Sequence, residues 1–129
     1  MIKVLLVDDS PIVTKMVSNY LSEKGYKVDF ANSPFGVSSK IKEFQPQILL
    51  MDLGLPGLSG EKLINLCRKN HDDLHLQCRV VLFSSANEEE MKDMVAKGLA
   101  HDYFMKGGSL KDLENKIHVQ MAALPCRLN

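Results

Sequence analysis

The sequence predicts an α/β protein built on a parallel β-sheet, and three features of the chain support this. Five short apolar runs with strand character recur along its 129 residues. Longer segments with helical periodicity separate these runs. Glycine, proline, serine or asparagine stands at most of the junctions, as expected for helix caps and turns. Because right-handed crossovers place helices on the faces of a parallel sheet, this alternation indicates one sheet covered on both sides.

The expected strands are the apolar runs, which are rich in valine, leucine, isoleucine and phenylalanine. They cover residues 4–7, 27–31, 47–51, 80–83 and 101–105. The third run is almost entirely apolar, which is typical of a strand that is buried on both faces. We therefore expect helices to cover both of its sides.

Each expected helix begins at a capping or helix-opening residue, and most end near a residue that breaks helices. The expected starting points are Ser10-Pro11, Ser33-Pro34, Glu61, Asn87 and Ser109. The corresponding ends are Gly25, Pro46, Lys69, Gly98 and Leu124. Together with the strands, these helices predict one domain over residues 1–124, followed by a short tail at 125–129 and no output domain.

Charge and composition exclude several classes of partner. Sixteen basic and sixteen acidic side chains give a formal net charge of zero, so the chain has no overall attraction to nucleic acid or to an anionic membrane. No apolar stretch approaches the roughly 20 residues of a membrane span. The three cysteines, at 67, 78 and 126, lack metal-ligand spacing and fit a reducing compartment. We expect a cytoplasmic protein that binds neither membranes nor, directly, nucleic acid.

Polar residues directly follow four of the expected strands. Asp8-Asp9 follow the first, Asp52 the third, Ser84-Ser85 the fourth and Lys106 the fifth. The carboxyl ends of parallel strands share one edge of a sheet, so these side chains are expected to meet there. Three carboxylates within ~4 Å would repel one another by roughly 1–4 kcal/mol per pair. Their oxygen atoms favour a hard cation that keeps several waters, which describes Mg²⁺.

Taken in chain order, these motifs resemble the receiver domains of two-component response regulators, of the chemotaxis-regulator kind. The motifs are two aspartates after the first strand, one after the third, a hydroxyl and alanine after the fourth, and a lysine after the fifth. The resemblance covers nearly the whole chain. It implies a flavodoxin-like (βα)5 fold, a doubly wound sheet of five parallel strands in the order 2-1-3-4-5.

The resemblance also implies a phosphorylation site. Asp52 would accept a phosphoryl group from a histidine kinase, a phosphotransfer protein or a small phosphodonor. Asp9 and Asp52 would bind Mg²⁺ directly, Asp8 through water, and Gly54 through its backbone carbonyl. Such a protein is not an enzyme with a separate substrate, although it would dephosphorylate itself.

The remaining roles implied by the resemblance concern the switch and its output. Lys106 and Ser85 would hold the phosphoryl oxygens, and Ser85 with Tyr103 would form the switch. A downstream protein would dock on the face formed by the fourth helix, the fifth strand and the fifth helix, at Met91, Met94 and Tyr103. Methionines of that helix also fit a second interpretation, in which they are core contacts.

Two residues depart from the family pattern. The lysine is usually followed by proline, whereas Gly107-Gly108 stand here. Two glycines turn the chain without fixing it, so we expect a more mobile loop. The hydroxyl is Ser85 rather than threonine, which keeps the hydrogen bond but loses a methyl group that restrains the rotamer.

Other interpretations stay open at this point. Taken singly, Asp8-Asp9 fit a helix cap, Asp52 a turn and Tyr103 an edge aromatic. A protein-interaction module that keeps the fold and is never phosphorylated would have the same sequence pattern. An aspartate-nucleophile phosphatase of the haloacid-dehalogenase type would need a second aspartate where Gly54 stands. A flavin carrier would need phosphate-binding groups after the first strand, where two aspartates repel phosphate.

Overall fold

A computed structural model describes residues 1–54, 62, 78–85 and 88–123, and these form one parallel sheet with flanking helices. The strands are β1 (Lys3–Val7), β2 (Lys27–Ala31), β3 (Ile48–Met51), β4 (Arg79–Ser84) and β5 (Asp102–Met105). The helices are α1 (Pro11–Glu23), α2 (Val37–Phe44), α3 (Glu88–Ala96) and α4 (Leu110–Ala122). The strand order is β2-β1-β3-β4-β5, with every pair parallel. Both the predicted α/β class and the implied strand order are confirmed.

Three expected features lie outside the described residues. They are the helix at 61–69 apart from Lys62, the Asn87 cap, and the domain boundary after residue 124. The expected fourth and fifth helices therefore correspond to α3 and α4. None of the helices in the described part of the chain combines the length and the apolar character needed to cross a membrane.

The apolar core lies in two layers because successive strand residues point to opposite faces of the sheet. In β1, Leu5 and Val7 face the layer beneath α2 and α3, whereas Val4 and Leu6 face the layer beneath α1 and α4. All four residues of β3 are buried, as predicted for a strand covered on both sides. Burying each such aliphatic side chain contributes roughly 1.5–3 kcal/mol to folding, so these layers hold the strand ends in place.

The predicted serine caps of the first and last helices are confirmed. The Ser10 hydroxyl accepts a hydrogen bond from the Val13 N–H at 3.3 Å, and Pro11 occupies the first helical position. The Ser109 hydroxyl accepts from the Asp112 N–H at 3.1 Å. Each cap satisfies a backbone donor that the helix itself leaves free. The caps therefore fix where the chain turns from the edge of the sheet into α1 and α4.

The second helix begins later than predicted. The sequence places its start at Ser33-Pro34, but α2 begins at Val37. Gly36 has φ 79° and occupies the N-cap position, and a left-handed residue cannot belong to a right-handed helix. The two residues after the expected start therefore form part of the connection from β2.

The expectation that Met91 and Met94 form an exposed partner surface is wrong. Both side chains lie in the layer beneath α3, with exposed fractions of 0% and 3%. The second interpretation, in which they are core contacts, is confirmed. Because these two positions lie three residues apart, they share the buried face of the helix, and other side chains supply its solvent face.

Gly108 is required by close packing rather than by its backbone conformation. A Cβ atom at this position would lie 2.6 Å from Cζ and 3.1 Å from Cε1 of Phe104. The Phe104 ring is buried and stacks on Phe83 at a centroid distance of 6.1 Å. The neighbouring Gly107 has no such constraint, since a Cβ there meets no atom of the described residues within 4 Å.

Gly108→Ala should therefore destabilise the protein, whereas Gly107→Ala should not. We expect a loss of about 1–3 kcal/mol for Gly108→Ala, because the Phe104 ring must shift within a packed layer. The matched Gly107→Ala variant should be neutral or gain roughly 0.4–1 kcal/mol by restricting the unfolded chain. Urea unfolding of both variants measures the difference. Equal stabilities would contradict the close-packing explanation.

Candidate functional site

The register of the sheet brings the residues that follow β1, β3 and β5 to one edge. Val7 is level with Met51, and the Asp52 N–H donates to the Val7 carbonyl at 2.9 Å. At the far side of the site, the Lys106 N–H donates to the Ser84 carbonyl at 2.8 Å. The side chains that the sequence predicted to meet are therefore held by the ends of the strand ladders themselves.

Asp8, Asp9 and Asp52 form a three-carboxylate cluster. One carboxylate oxygen from each lies within 4.8 Å of the other two. Asp8 and Asp52 are buried, with exposed fractions of 0% and 5%, and Asp9 is exposed. Across such separations each like-charge pair costs roughly 1–4 kcal/mol, so the arrangement needs compensating positive charge.

Lys106 supplies part of that charge. Its Nζ lies 2.7 Å from Asp8 Oδ2 and 3.6 Å from Asp52 Oδ2. The ammonium also lies 5.3 Å from the centre of the Phe83 ring, which is within cation–π range. The lysine thus bridges the two buried carboxylates of the cluster while its stem packs beside the core.

Asp8 is held at both carboxylate oxygens. Oδ1 accepts the Ser10 N–H at 2.9 Å, which ties the carboxylate to the first turn of α1. Oδ2 is close enough to Lys106 for an ion pair, but it accepts no hydrogen bond of good geometry from the described residues. A buried carboxylate oxygen that keeps this acceptor capacity can still accept a hydrogen bond, such as one from a water molecule bound to a cation.

Asp52 is held by the start of the loop that follows β3. Its Oδ1 accepts the Gly54 N–H at 3.1 Å. Burial raises the pKa of Asp52, and the Gly54 N–H opposes that rise. The negative charge of Asp8 raises the pKa further, Lys106 lowers it, and Asp9 raises it, with a net increase above the ordinary value. Ionising Asp52 is therefore less favourable in the folded protein without bound cations than in the unfolded chain.

The donor set fits a hard divalent cation. Three carboxylates against one ammonium leave a formal charge of −2 in the cluster. All the ligand atoms are oxygens, and Asp8 Oδ2 still lacks a hydrogen bond from the described residues. Mg²⁺ prefers a few carboxylate ligands and keeps the rest of its shell as water. Asp8, Asp9 and Asp52 could hold such an ion.

The two expected switch residues lie on neighbouring strands. Ser85 is exposed and directly follows Ser84, the buried last residue of β4. Tyr103 of β5 lies partly buried, and its hydroxyl donates to Glu88 Oε2 at the surface, at 3.2 Å. The Lys116 Nζ lies 5.2 Å from the centre of the same ring. Tyr103 is thus held outward by groups on both α3 and α4.

Two contacts of this region were not predicted from the sequence. The Glu88 carboxylate, in the acidic first turn of α3, accepts a hydrogen bond from the Tyr103 hydroxyl. Asn32, after β2, donates through Nδ2 to the Asp8 carbonyl at 3.0 Å. The sequence does show an asparagine directly after the second strand. Its partner cannot be predicted from the sequence, because it depends on the register between β1 and β2.

Comparison with known proteins identifies the family. The response regulator receiver domain matches residues 4–118, which is most of the chain. The chain therefore belongs to this family and is a receiver domain of the kind found in two-component response regulators. Proteins of this class are generally signalling switches rather than enzymes.

Curated relatives are similar along most of this chain. KdpE of Staphylococcus aureus is 27% identical over 117 residues, which cover 91% of this chain and 48% of KdpE. TrcR of Mycobacterium tuberculosis is 33% identical over 115 residues, which cover 87% of this chain and 42% of TrcR. The chain spans about half the length of the curated relatives it matches.

Solved structures share the fold. CheY4 of Vibrio cholerae matches with a TM-score of 0.83 at 22% identity, covering 92% of this chain and 98% of that protein. A two-component response regulator from Clostridium difficile has a TM-score of 0.84 at 20% identity, covering 98% and 100%. TrrA of Thermotoga maritima, solved in complex with Mg²⁺–BeF, has a TM-score of 0.78 at 22% identity, covering 93% and 99%.

Asp52→Asn should stabilise the protein at neutral pH. The pKa of Asp52 is higher in the folded protein than in the unfolded chain, so the folded protein favours the protonated carboxyl. The stability that this preference contributes is fully present below the unfolded pKa. That contribution is lost as the pH rises through the folded pKa. Asparagine cannot ionise, so the variant should have the higher free energy of unfolding at neutral pH, and the difference should shrink on acidification.

Urea unfolding as a function of pH, in buffer without divalent cations, measures this effect. Asp93→Asn is the control, since Asp93 is exposed and forms a surface pair with Lys97. We expect the control to follow the wild type at each pH. A wild-type protein more stable than Asp52→Asn at neutral pH would contradict the raised pKa.

Proposed function

We propose that this receiver domain is a switch phosphorylated on Asp52 with the help of Mg²⁺. The observation that carries the proposal is the three-carboxylate cluster with Lys106 across two of its members. Mg²⁺ would be held by Asp8, Asp9 and Asp52, and by the backbone carbonyl of Gly54. The Mg²⁺ and BeF bound by TrrA support the same ligand classes here.

The proposed reaction is the transfer of a phosphoryl group from a phosphodonor to the Asp52 carboxylate. A carboxylate oxygen of Asp52 forms a bond to phosphorus while the phosphorus–nitrogen bond of a phosphohistidine breaks. The departing imidazole keeps the electron pair and takes up a proton from solvent. With acetyl phosphate the phosphorus–oxygen bond breaks instead, and acetate departs. Such transfers depend on alignment of the attacking group and on neutralising charge on the phosphoryl oxygens.

The residues of the pocket divide this work. Mg²⁺, when bound, neutralises negative charge at the phosphoryl oxygens. The Gly54 N–H holds Asp52 Oδ1, which orients the carboxylate for attack. Lys106 already lies 3.6 Å from Asp52 Oδ2 and would follow the phosphoryl group by a small movement. Ser85 would donate its hydroxyl hydrogen to another phosphoryl oxygen, and water entering the exposed side would later hydrolyse the product.

Phosphorylation should require both Asp52 and Mg²⁺. The protein incubated with acetyl phosphate and Mg²⁺ should gain the mass of one phosphoryl group, because Asp52 is the single phosphoryl acceptor in the proposed switch. Asp52→Asn should lose this gain, as should wild-type protein treated with EDTA. Intact mass spectrometry measures both.

Asp112→Asn provides the control for this experiment. Asp112 is an exposed aspartate in the first turn of α4. The control should be modified like the wild type. Modification of Asp52→Asn to the same extent as the wild type would refute the proposal, and so would an unmodified wild type.

The two aspartates after β1 should contribute unequally to metal binding. We propose direct contact for the exposed Asp9 and a water-mediated contact for Asp8, whose Oδ2 is already paired with Lys106. Asp9→Asn should therefore weaken Mg²⁺ binding more than Asp8→Asn, as measured by isothermal titration calorimetry. The reverse order would contradict this division of roles. Melting curves check that each variant is folded, since Asp8 is buried.

The proposed output surface is the face formed by α3, β5 and α4. Since Met91 and Met94 are buried, its solvent side is represented by Tyr103, Glu88 and Lys116. A phosphoryl group would give the Ser85 hydroxyl a new acceptor and favour an inward position of Tyr103. The outward bond to Glu88 would then break, and a downstream protein would read the difference. The effect is a population shift between two states.

NMR with beryllium fluoride and Mg²⁺ tests this transmission. Chemical shifts should change from Ser85 to Lys106 and along α3, because Tyr103 leaves Glu88. In Glu88→Gln the outward position should be less favoured, so part of the change should be present without beryllium fluoride. Changes confined to the loops after β1 and β3 would contradict the switch while leaving phosphorylation intact.

The proposal extends to the cellular setting. The phosphoryl donor would be a histidine kinase or phosphotransfer protein in the cytoplasm, as expected from the sequence. Residues 1–124 would form the receiver unit. The reader of the switch would be a protein rather than nucleic acid or a membrane.

A further inference from the structure

Asn32 joins three segments at the edge of the acidic pocket. It directly follows β2, and its Nδ2 donates to the Asp8 carbonyl at 3.0 Å and to Thr14 Oγ1 at 3.2 Å. The Thr14 hydroxyl in turn donates to the Pro11 carbonyl at 3.1 Å, inside the first turn of α1. One amide group therefore links the ends of two strands and the start of a helix.

The Asp8 carbonyl, which Asn32 binds, lies where β1 leaves the sheet. The Asp8 N–H still donates to the Ala31 carbonyl at 3.1 Å, next to the end of the β1–β2 ladder. After Asp8 the chain turns through Asp9 into α1. The ladder between β1 and β2 therefore ends here, and no backbone N–H of β2 reaches the Asp8 carbonyl. The Asn32 side chain supplies the donor that a further strand residue would have supplied.

The hydrogen bond from Asn32 to the Asp8 carbonyl restrains the backbone of both aspartates that follow β1. The carbonyl belongs to the planar peptide unit between Asp8 and Asp9, so its direction sets the path of the chain into Asp9. The Asp8 carboxylate is held separately by Ser10 and Lys106. Asp9 is exposed, and its carboxylate has no hydrogen bond or ion pair with the described part of the chain. Asp9 is therefore positioned by its two flanking peptides, one through the Asp8 carbonyl bound by Asn32 and the other through the Ser10 N–H bound by Asp8 Oδ1.

We propose that Asn32 is a positioning residue for the metal ligands, acting through the Asp8–Asp9 peptide rather than by contact with the cation. This inference rests on the proposed function, since it assigns Asn32 to the same Mg²⁺ site. Loss of one hydrogen bond of ordinary strength corresponds to a roughly threefold to tenfold change in a binding constant. The effect should appear in metal affinity and not in the rate once metal is saturating.

Calorimetric titration of Asn32→Ala with Mg²⁺ tests the assignment without relying on activity. We expect the Mg²⁺ Kd to rise about threefold to tenfold relative to the wild type. The Mg²⁺ concentration for half-maximal phosphorylation by acetyl phosphate should rise by the same factor, with a nearly unchanged maximal rate. Asn115→Ala, an exposed asparagine on α4, is the matched control and should bind Mg²⁺ like the wild type.

Thr14→Val separates positioning from general stability. The substitution removes the hydroxyl that shares the Asn32 amide, at a position 1% exposed, without removing the bond to the Asp8 carbonyl. It should lower the melting temperature but shift the Mg²⁺ Kd less than Asn32→Ala does. An unchanged Kd in Asn32→Ala, or Kd changes in both variants that simply follow lost stability, would overturn the inference. A wild type that neither binds Mg²⁺ nor becomes phosphorylated would overturn the proposed function instead.

Discussion

The contact between Asp8 and Lys106 is the interaction on which the rest of the pocket depends. It joins the end of β1 to the end of β5, across the two strands that lie between them. Asp8 has no exposed surface, and removing one partner of a buried ion pair typically costs about 3–5 kcal/mol. The pair therefore holds the lysine over the carboxylates and makes the positions of β1 and β5 interdependent.

The sheet concentrates negative charge that a protein selected for stability alone would avoid. Parallel strands present their carboxyl ends at one edge, and here three of the side chains at that edge are carboxylates. One ammonium does not balance them, and the pKa of Asp52 is raised, first by its burial and then by the neighbouring carboxylates. A divalent cation at the cluster would offset this negative charge, and under the proposed function it would do so before the phosphoryl group arrives.

Two side-chain hydrogen bonds, one made by Asn32 and one by Tyr103, connect the strands around this pocket to other segments of the chain. Asn32 ties the edge that carries the acidic cluster to the connection after β2, and Tyr103 ties β5 to Glu88 on α3. The first bond is made to a backbone carbonyl, whereas the second lies at the surface between the partly buried Tyr103 and the exposed Glu88 and can break at little cost. The pocket is thus rigid where it would bind the cation and loosely held where a partner would read its state.

The sequence by itself determined the strands, the serine caps and the members of the acidic cluster, because each depends on local pattern or on which residue follows a strand. It placed the start of α2 too early, since the left-handed backbone of Gly36 is set by the path from β2. It left Met91 and Met94 between core and surface, because helical spacing does not say which face meets the sheet. The bond from Asn32 to Asp8 spans 24 positions and was decided only by the tertiary structure, because the pairing of β1 with β2 alone brings those residues together.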